Sequence, residues 1–265
     1  MNSSLSQTIE NQLKDIASVA GFLWQRGWAE RNGGNISVRM EHANTADSFS
    51  LGEVEPHSLQ HPFSKLDGKI FYVTGTGERM RDVAVSPLNY GLIIRILNNG
   101  TSWIPLAGNT NAPTSELVSH LAIHQQFIEN RSENRAVLHT HPTELIALTH
   151  CPPFLEPGTL TKMLWSMIPE TRVFVPRGVG LIPYRMTGTA ELARETIKAL
   201  VNHDVVLWEK HGVLAVGEDI LSCFDTIDTL TKSAQIYLAA KMAGFEPQGL
   251  SDVQLDELKQ AFHLP

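Results

Sequence analysis

The sequence predicts a single α/β domain built on a central, largely antiparallel sheet flanked by helices. Segments with helical apolar spacing alternate along the chain with short apolar runs of strand character. Connections such as Lys210-His211-Gly212 are too short for the crossover that parallel neighbours require, so the strands they join must pair antiparallel. The 265 residues fit the size that one hydrophobic core can serve, about 250–300 residues, and no repeat, low-complexity tract or Pro/Ser-rich linker divides them. One domain over 1–265, carrying an inserted loop at about 42–67, follows.

The elements follow in order. Ile9, Leu13, Ile16, Ala20 and Leu23 recur at steps of four and three, which aligns them on one stripe of a helix ending near Gly27. The turn Glu30-Arg-Asn-Gly-Gly-Asn35 leads into a strand over 36–40. Residues 42–67 are polar, Pro-interrupted and rich in His and Ser, and read as the inserted loop. A buried strand over 69–74 ends in Gly75-Thr76-Gly77, and strands over 91–97 and 102–105 are joined by the Asn98-Asn99-Gly100 turn signal. Pro113-Thr114-Ser115-Glu116 opens a helix to about 130, because an early proline, cap residues and a first-turn acid all suit a helix N-terminus. A strand over 135–140 and a short helix over 142–149 come next. Further helices are predicted over 160–167, 189–202, 218–242 and 252–262, with strands over 172–175, 180–184, 205–208 and 213–216.

With 21 Lys+Arg against 28 Asp+Glu, the net charge of −7 argues against a nucleic-acid or anionic-membrane partner, whose footprint is a basic excess. No apolar run approaches the roughly 18 residues of a transmembrane helix. Only Cys151 and Cys223 occur, and the sequence begins without the basic and apolar regions of a secretory signal, so a cytoplasmic setting is expected. Two thiols make no CxxC metal site, and any transition metal would be held by His and carboxylate.

His139-Thr140-His141 is the most informative segment. On a strand, residues i and i+2 share a face, so both imidazoles could bind one metal ion, although HxH alone is weak evidence. His211 sits in a tight turn between apolar strands, either as a surface histidine or as a third imidazole at the sheet end. Glu116 could be a fourth ligand, a general base, or simply an acid favoured by the helix dipole. Three histidines with an open position suit Zn2+ or a similar Lewis acid able to polarise a carbonyl. Asn32-Gly33-Gly34-Asn35, Thr74-Gly75-Thr76-Gly77 and Thr114-Ser115 are small polar turns whose N–H groups and hydroxyls suit one phosphate monoester. No P-loop or dinucleotide fingerprint accompanies them. His120 and His124, at i+4 and i+8 from Glu116, read as helix-surface histidines, and His42, His57 and His61 as solvated loop residues.

Asn32-Gly-Gly-Asn35, Thr74-Gly-Thr-Gly77, Pro113-Thr-Ser-Glu116, His139-Thr-His141-Pro142 and Lys210-His211-Gly212-Val213 occur in the order found in the class II aldolase/adducin family of sugar-phosphate enzymes. The chain resembles that family over nearly its whole length. Within it, the segment 27–35, the insertion after Met40 and the stretch 164–180 resemble the branch that cleaves L-rhamnulose 1-phosphate to dihydroxyacetone phosphate and L-lactaldehyde.

The resemblance implies His139, His141 and His211 as ligands of one Zn2+ per subunit. It places the substrate phosphate on Asn32, Gly34, Asn35, Thr76, Thr114 and Ser115, with Thr76 standing where relatives have Ser. It makes Glu116 the group that protonates the ene-diolate in cleavage, and Glu170 the acid/base for the C4 hydroxyl, reaching in from a neighbouring subunit of a homotetramer with interface active sites. A small-molecule sugar phosphate is then the partner. The alternatives are a fuculose-phosphate or other ketose-phosphate aldolase, a pentulose-phosphate epimerase, and a non-catalytic adducin-like interaction domain.

Overall fold

The computed structural model describes residues 6–40, 54–110, 112–130 and 132–265. The fold is mixed α/β, with largely antiparallel sheet strands flanked by helices. The chain divides into two compact units, residues 1–140 with 216–221 and residues 141–215 with 222–265.

In the first unit, strands β1 (Asn35–Arg39), β2 (His57–Ser58), β3 (Ile70–Thr74), β4 (Gly91–Leu97), β5 (Ser102–Gly108) and β6 (Ala136–Thr140) lie in the order β2-β5-β4-β3-β1-β6. All the neighbouring pairs are antiparallel. Its helices are α1 (Gln7–Gln25), α2 (Met80–Val83) and α3 (Leu117–Glu129). The Ser6 hydroxyl caps α1 by accepting from the Ile9 N–H at 3.4 Å. Below it the expected stripe is buried, with Val19 added to it.

The segment read as an inserted loop is only partly one. Residues 41–53 lie outside the described residues, but 57–58 form the edge strand β2, and Phe63 and Leu66 are buried around a 3-10 turn (Ser64–Leu66). Both side chains join a cluster with Phe71, Val73, Leu92, Ile94, Ile96, Trp103, Leu117 and Leu121, so this part of the segment seals one sheet face beside α3. His57 and His61 are exposed as expected, and the His57 ring stacks on Trp103 at 4.3 Å; His42 falls outside the described residues.

The β4–β5 turn holds Asn98, Asn99 and Gly100 at positive φ. At Gly100 (φ +79°) an added Cβ would lie 2.2 Å from the backbone carbon of Phe63. Gly100→Ala should therefore cost about 1–2 kcal/mol for the left-handed backbone and about 1–3 kcal/mol more for overpacking. At Gly68 (φ +73°) nothing lies within 4 Å of an added Cβ, so Gly68→Ala should show only the first cost. Equal losses in the two variants, measured by chemical denaturation, would contradict the packing at Phe63.

The second unit contains β7 (Gly180–Ile182), β8 (Val205–Trp208) and most of β9 (Gly212–Gly217), in the order β9-β8-β7. β8 and β9 are antiparallel, as their short connection requires, while β7 runs parallel to β8 after the intervening helix. The helices are α4 (Thr143–Leu148), α5 (Thr159–Met167), α6 (Pro169–Phe174), α7 (Ala190–Ala199), α8 (Ile220–Met242), whose residues from Ser222 onward belong to this unit, and α9 (Asp252–Ala261).

The strand expected over 172–175 is instead the last turn of α6 and its exit. Pro169 sits at the first helical position, where its fixed φ starts a helix, and Thr171 is buried with its hydroxyl 2.6 Å from Ser233 of α8. Arg172 packs over the Trp165 ring at 4.2 Å and donates to the Pro176 carbonyl. These anchors hold as a helix a segment whose apolar residues alone suggest a strand. Among the described residues, no helix is long and apolar enough to cross a membrane.

Candidate active site

Strand β1 begins with Asn35, paired in register with His139 of β6, so the Asn32–Asn35 turn lies against the end of the His139 strand. Gly34 (φ +79°) makes that approach possible, because a Cβ there would sit 2.8 Å from the His139 carbonyl oxygen.

On the other side of β1, the Thr74 carbonyl accepts from the Thr114 N–H at 2.8 Å. Gly75 bridges to Pro113, and the Thr76 N–H donates to Ala112 at 3.0 Å. The 74–76 turn and the 112–114 segment thus run side by side and antiparallel, with Thr74 opposite Thr114 and Thr76 opposite Ala112. These bonds also explain why α3 begins at Leu117 rather than at Pro113. The preceding residues serve the sheet, and Glu116 stands at the helix cap position. The Thr114 hydroxyl accepts from the Glu116 N–H at 3.3 Å. Asn35 and Thr114 are buried, Asn32, Thr76 and Ser115 are exposed, and Gly34 and Glu116 are half-buried.

The Glu116 carboxylate has a partner that the phosphate assignment did not anticipate. The Asn35 amide donates to Glu116 Oε2 at 2.9 Å. The other end of the same amide, Oδ1, meets His120 Nε2 at 2.5 Å. His120 and His124 are not surface histidines; each is 1% exposed. They occupy positions 120 and 124 of the stripe Leu117, His120, Leu121, His124, which faces the sheet. Both also bond to Ser37 of β1, His120 through Nδ1 at 2.7 Å and His124 through Nε2 at 2.9 Å. Burial lowers the His120 pKa to about 4 and drives that of His124 well below the usual imidazole range, with His120 and Arg39 adding to the second effect. Both rings are therefore neutral at pH 7. Helical periodicity was the available signal, since the two histidines fall on an otherwise apolar stripe.

The metal-type cluster is made by three histidines. His139 is the penultimate residue of β6 and His141 lies just past the strand's end, while the intervening Thr140 hydroxyl donates to the Trp28 carbonyl at 2.7 Å. His211 stands in the β8–β9 turn. There Lys210 takes a left-handed φ of +59° and donates its N–H to the Thr149 hydroxyl, and the His211 N–H donates to Trp208. The Trp208 ring stacks on His211, and the His141 and His211 ring centroids are 5.3 Å apart. Each of the three offers one ligand nitrogen, and these lie within 4.8 Å of one another. Tetrahedral binding at 2.0–2.1 Å places ligand nitrogens about 3.3 Å apart, inside that span. Three imidazoles with no thiolate suit a borderline divalent ion such as Zn2+.

Glu170 lies in the first turn of α6 and is exposed, with Phe174 one turn further on 66% exposed.

Residues 14–238 match the model of the class II aldolase and adducin N-terminal domain. The chain belongs to the class II aldolase/adducin family. Its curated relatives in the family include the rhamnulose-1-phosphate aldolase of Bacteroides thetaiotaomicron, 48% identical over 97% of this chain and 96% of that protein. The Escherichia coli protein of the same name is 35% identical over 90% of this chain and 89% of its own length. Among solved structures, a sugar-phosphate aldolase from Thermotoga maritima superposes with a TM-score of 0.78 at 32% identity, covering 90% of this chain and 98% of that one. An L-fuculose 1-phosphate aldolase at 20% identity and a TM-score of 0.62 shares the fold across the whole of both chains.

Proposed function

We propose that this class II aldolase-family chain is a carbon–carbon lyase that cleaves L-rhamnulose 1-phosphate to dihydroxyacetone phosphate and L-lactaldehyde. The convergence of three imidazole nitrogens carries the reaction class. The substrate rests on the 48% identity to the Bacteroides rhamnulose-1-phosphate aldolase. The family model spans residues from both units, which supports one aldolase domain over 1–265. We further assign one Zn2+ per subunit, a homotetramer with interface active sites, and a cytoplasmic setting.

His139, His141 and His211 would hold the metal, which when bound supplies Lewis acidity at the ketose carbonyl and offsets the negative charge developed on cleavage. The chain's own residues do the rest. The hydroxyls of Thr76, Thr114 and Ser115, the Asn32 amide and the Gly34 backbone bind the phosphate. Asn35 has one amide N–H on Glu116 and one left for the phosphate. As the C3–C4 bond breaks, Glu116 delivers a proton to C3, and in condensation it removes the same proton. Glu170 takes the C4 hydroxyl proton, reaching the site of a neighbouring subunit from an exposed helix turn.

The test follows dihydroxyacetone phosphate release from the 1-phosphates of rhamnulose and fuculose and from a ribulose phosphate. Rhamnulose 1-phosphate should give the highest kcat/KM. A preference for fuculose 1-phosphate would overturn the substrate. Epimerisation without release of dihydroxyacetone phosphate would overturn the reaction, and binding without turnover would favour an adducin-like role.

A further inference from the structure

The buried polar chain behind Glu116 has a direction that chemistry alone dictates. A carboxylate accepts hydrogen bonds and cannot donate them, so the end of the Asn35 amide facing Glu116 is its NH2 group and the end facing His120 is its oxygen. An amide oxygen also only accepts, so His120 Nε2 carries a proton. The ring is neutral, which leaves Nδ1 bare, and the Ser37 hydroxyl must donate to it. That hydroxyl has only one hydrogen, so its contact with His124 is one in which His124 Nε2–H donates.

The remaining nitrogen, His124 Nδ1, is then an acceptor. It makes no hydrogen bond among the described residues, and the ring lies between Phe71 at 4.8 Å and Phe127 at 5.5 Å. With Nε2 donating to Ser37, the chain ends on this bare Nδ1. Each donor from His124 through Ser37, His120 and Asn35 points toward the Glu116 carboxylate.

We propose that His120, held in its Nε2–H tautomer by Ser37, is a positioning residue that fixes the Asn35 amide so that its N–H orients the Glu116 carboxylate for proton transfer. This rests on the assignment of Glu116 as the proton-transfer group. If the ring took the other tautomer, its bare Nε2 would face the Asn35 oxygen, and the two lone pairs would repel. The amide would turn, present its oxygen to the carboxylate, and displace it. A displacement on the order of 1 Å at a reacting group can cost about a hundredfold in rate.

Two readouts test this. The first needs no turnover: two-bond 1H–15N correlation of the histidine rings in the wild-type protein should show His120 as the neutral Nε2–H tautomer, and an Nδ1–H or doubly protonated ring would overturn the proposal. The second is solvent-deuterium exchange into dihydroxyacetone phosphate, followed by NMR on metal-loaded protein, which reports proton transfer at that carbon without aldehyde. His120→Leu should lower exchange tenfold or more at saturating dihydroxyacetone phosphate, with metal content within twofold of wild type; saturation keeps any weakening of the Asn35 contact to the phosphate out of the comparison. His120→Gln should restore most of the rate, since its amide N–H can take the place of Nε2–H.

Ser37→Ala is the smaller change and serves if His120→Leu does not fold. It should also lose exchange, and adding His120→Gln to it should raise the rate, because a glutamine needs no tautomer fixed. Wild-type exchange in His120→Leu, no recovery in His120→Gln, or a double variant no faster than Ser37→Ala would each overturn the positioning role. Absence of exchange in the wild-type protein is a different failure: it would remove the aldolase function itself and the positioning role of His120 with it.

Discussion

His141→Ala is expected to leave a folded protein that holds no stoichiometric divalent metal and has lost about a thousandfold or more of its turnover. Lewis-acid stabilisation is worth several kcal/mol, and each 1.4 kcal/mol is a factor of ten in rate. The side chain is half-buried and follows the end of β6, so its removal opens no core cavity. Two imidazoles cannot hold a tightly bound tetrahedral site, and the loss should appear in metal analysis as clearly as in the assay. His61→Ala is the control, since that histidine is exposed and stands outside the cluster, and it should change neither quantity. Unchanged metal content and activity in His141→Ala would mean that the clustered nitrogens are incidental.

Glu116→Gln should separate binding from chemistry. Glutamine keeps the size of the side chain and an oxygen that can accept from the Asn35 amide, so the fold and the metal should both persist. It cannot carry the proton, and a positioned general acid/base is typically worth about 10²–10⁴-fold. Turnover should fall by that factor in kcat while KM for the sugar phosphate stays within a few-fold, because the groups proposed to bind the phosphate are not substituted. Full activity in this variant would remove Glu116 from the mechanism.

Most of the architecture was legible because its signals are local. The alternation of four and three from Ile9 to Leu23, the Asn98-Asn99-Gly100 turn and the short Lys210–Gly212 connection each specify one element without help from distant residues. Where the expectations failed, a distant partner decided. Residues 172–175 are helical because Thr171 bonds to Ser233 and Arg172 lies on Trp165. Part of the segment after Met40 packs because Phe63 and Leu66 find the cluster on the β3–β4 face.

The candidate site divides in the same way. The spacing of His139 and His141 and the turn at His211 pointed to three imidazoles that the structure brings together, and the Asn-Gly-Gly-Asn and Thr-Ser turns lie at a strand start and a helix start. The Ser37, His120 and His124 network was hidden because histidine is commonly a surface residue. Recognising it required weighing the stripe position of both rings above their polarity, and then seeing that β1 places a serine opposite them. Asn35 was expected at the site, but its bond to Glu116 was not, since that contact joins positions 81 residues apart.

The most direct test of the three-histidine site as an aldolase centre is a metal titration of chelated protein, with dihydroxyacetone phosphate release from L-rhamnulose 1-phosphate as the readout. Activity should be absent after chelation, return in proportion to added Zn2+, and level off at one equivalent per chain. Undiminished release from protein shown to be metal-free, or no release at any metal loading, would contradict it.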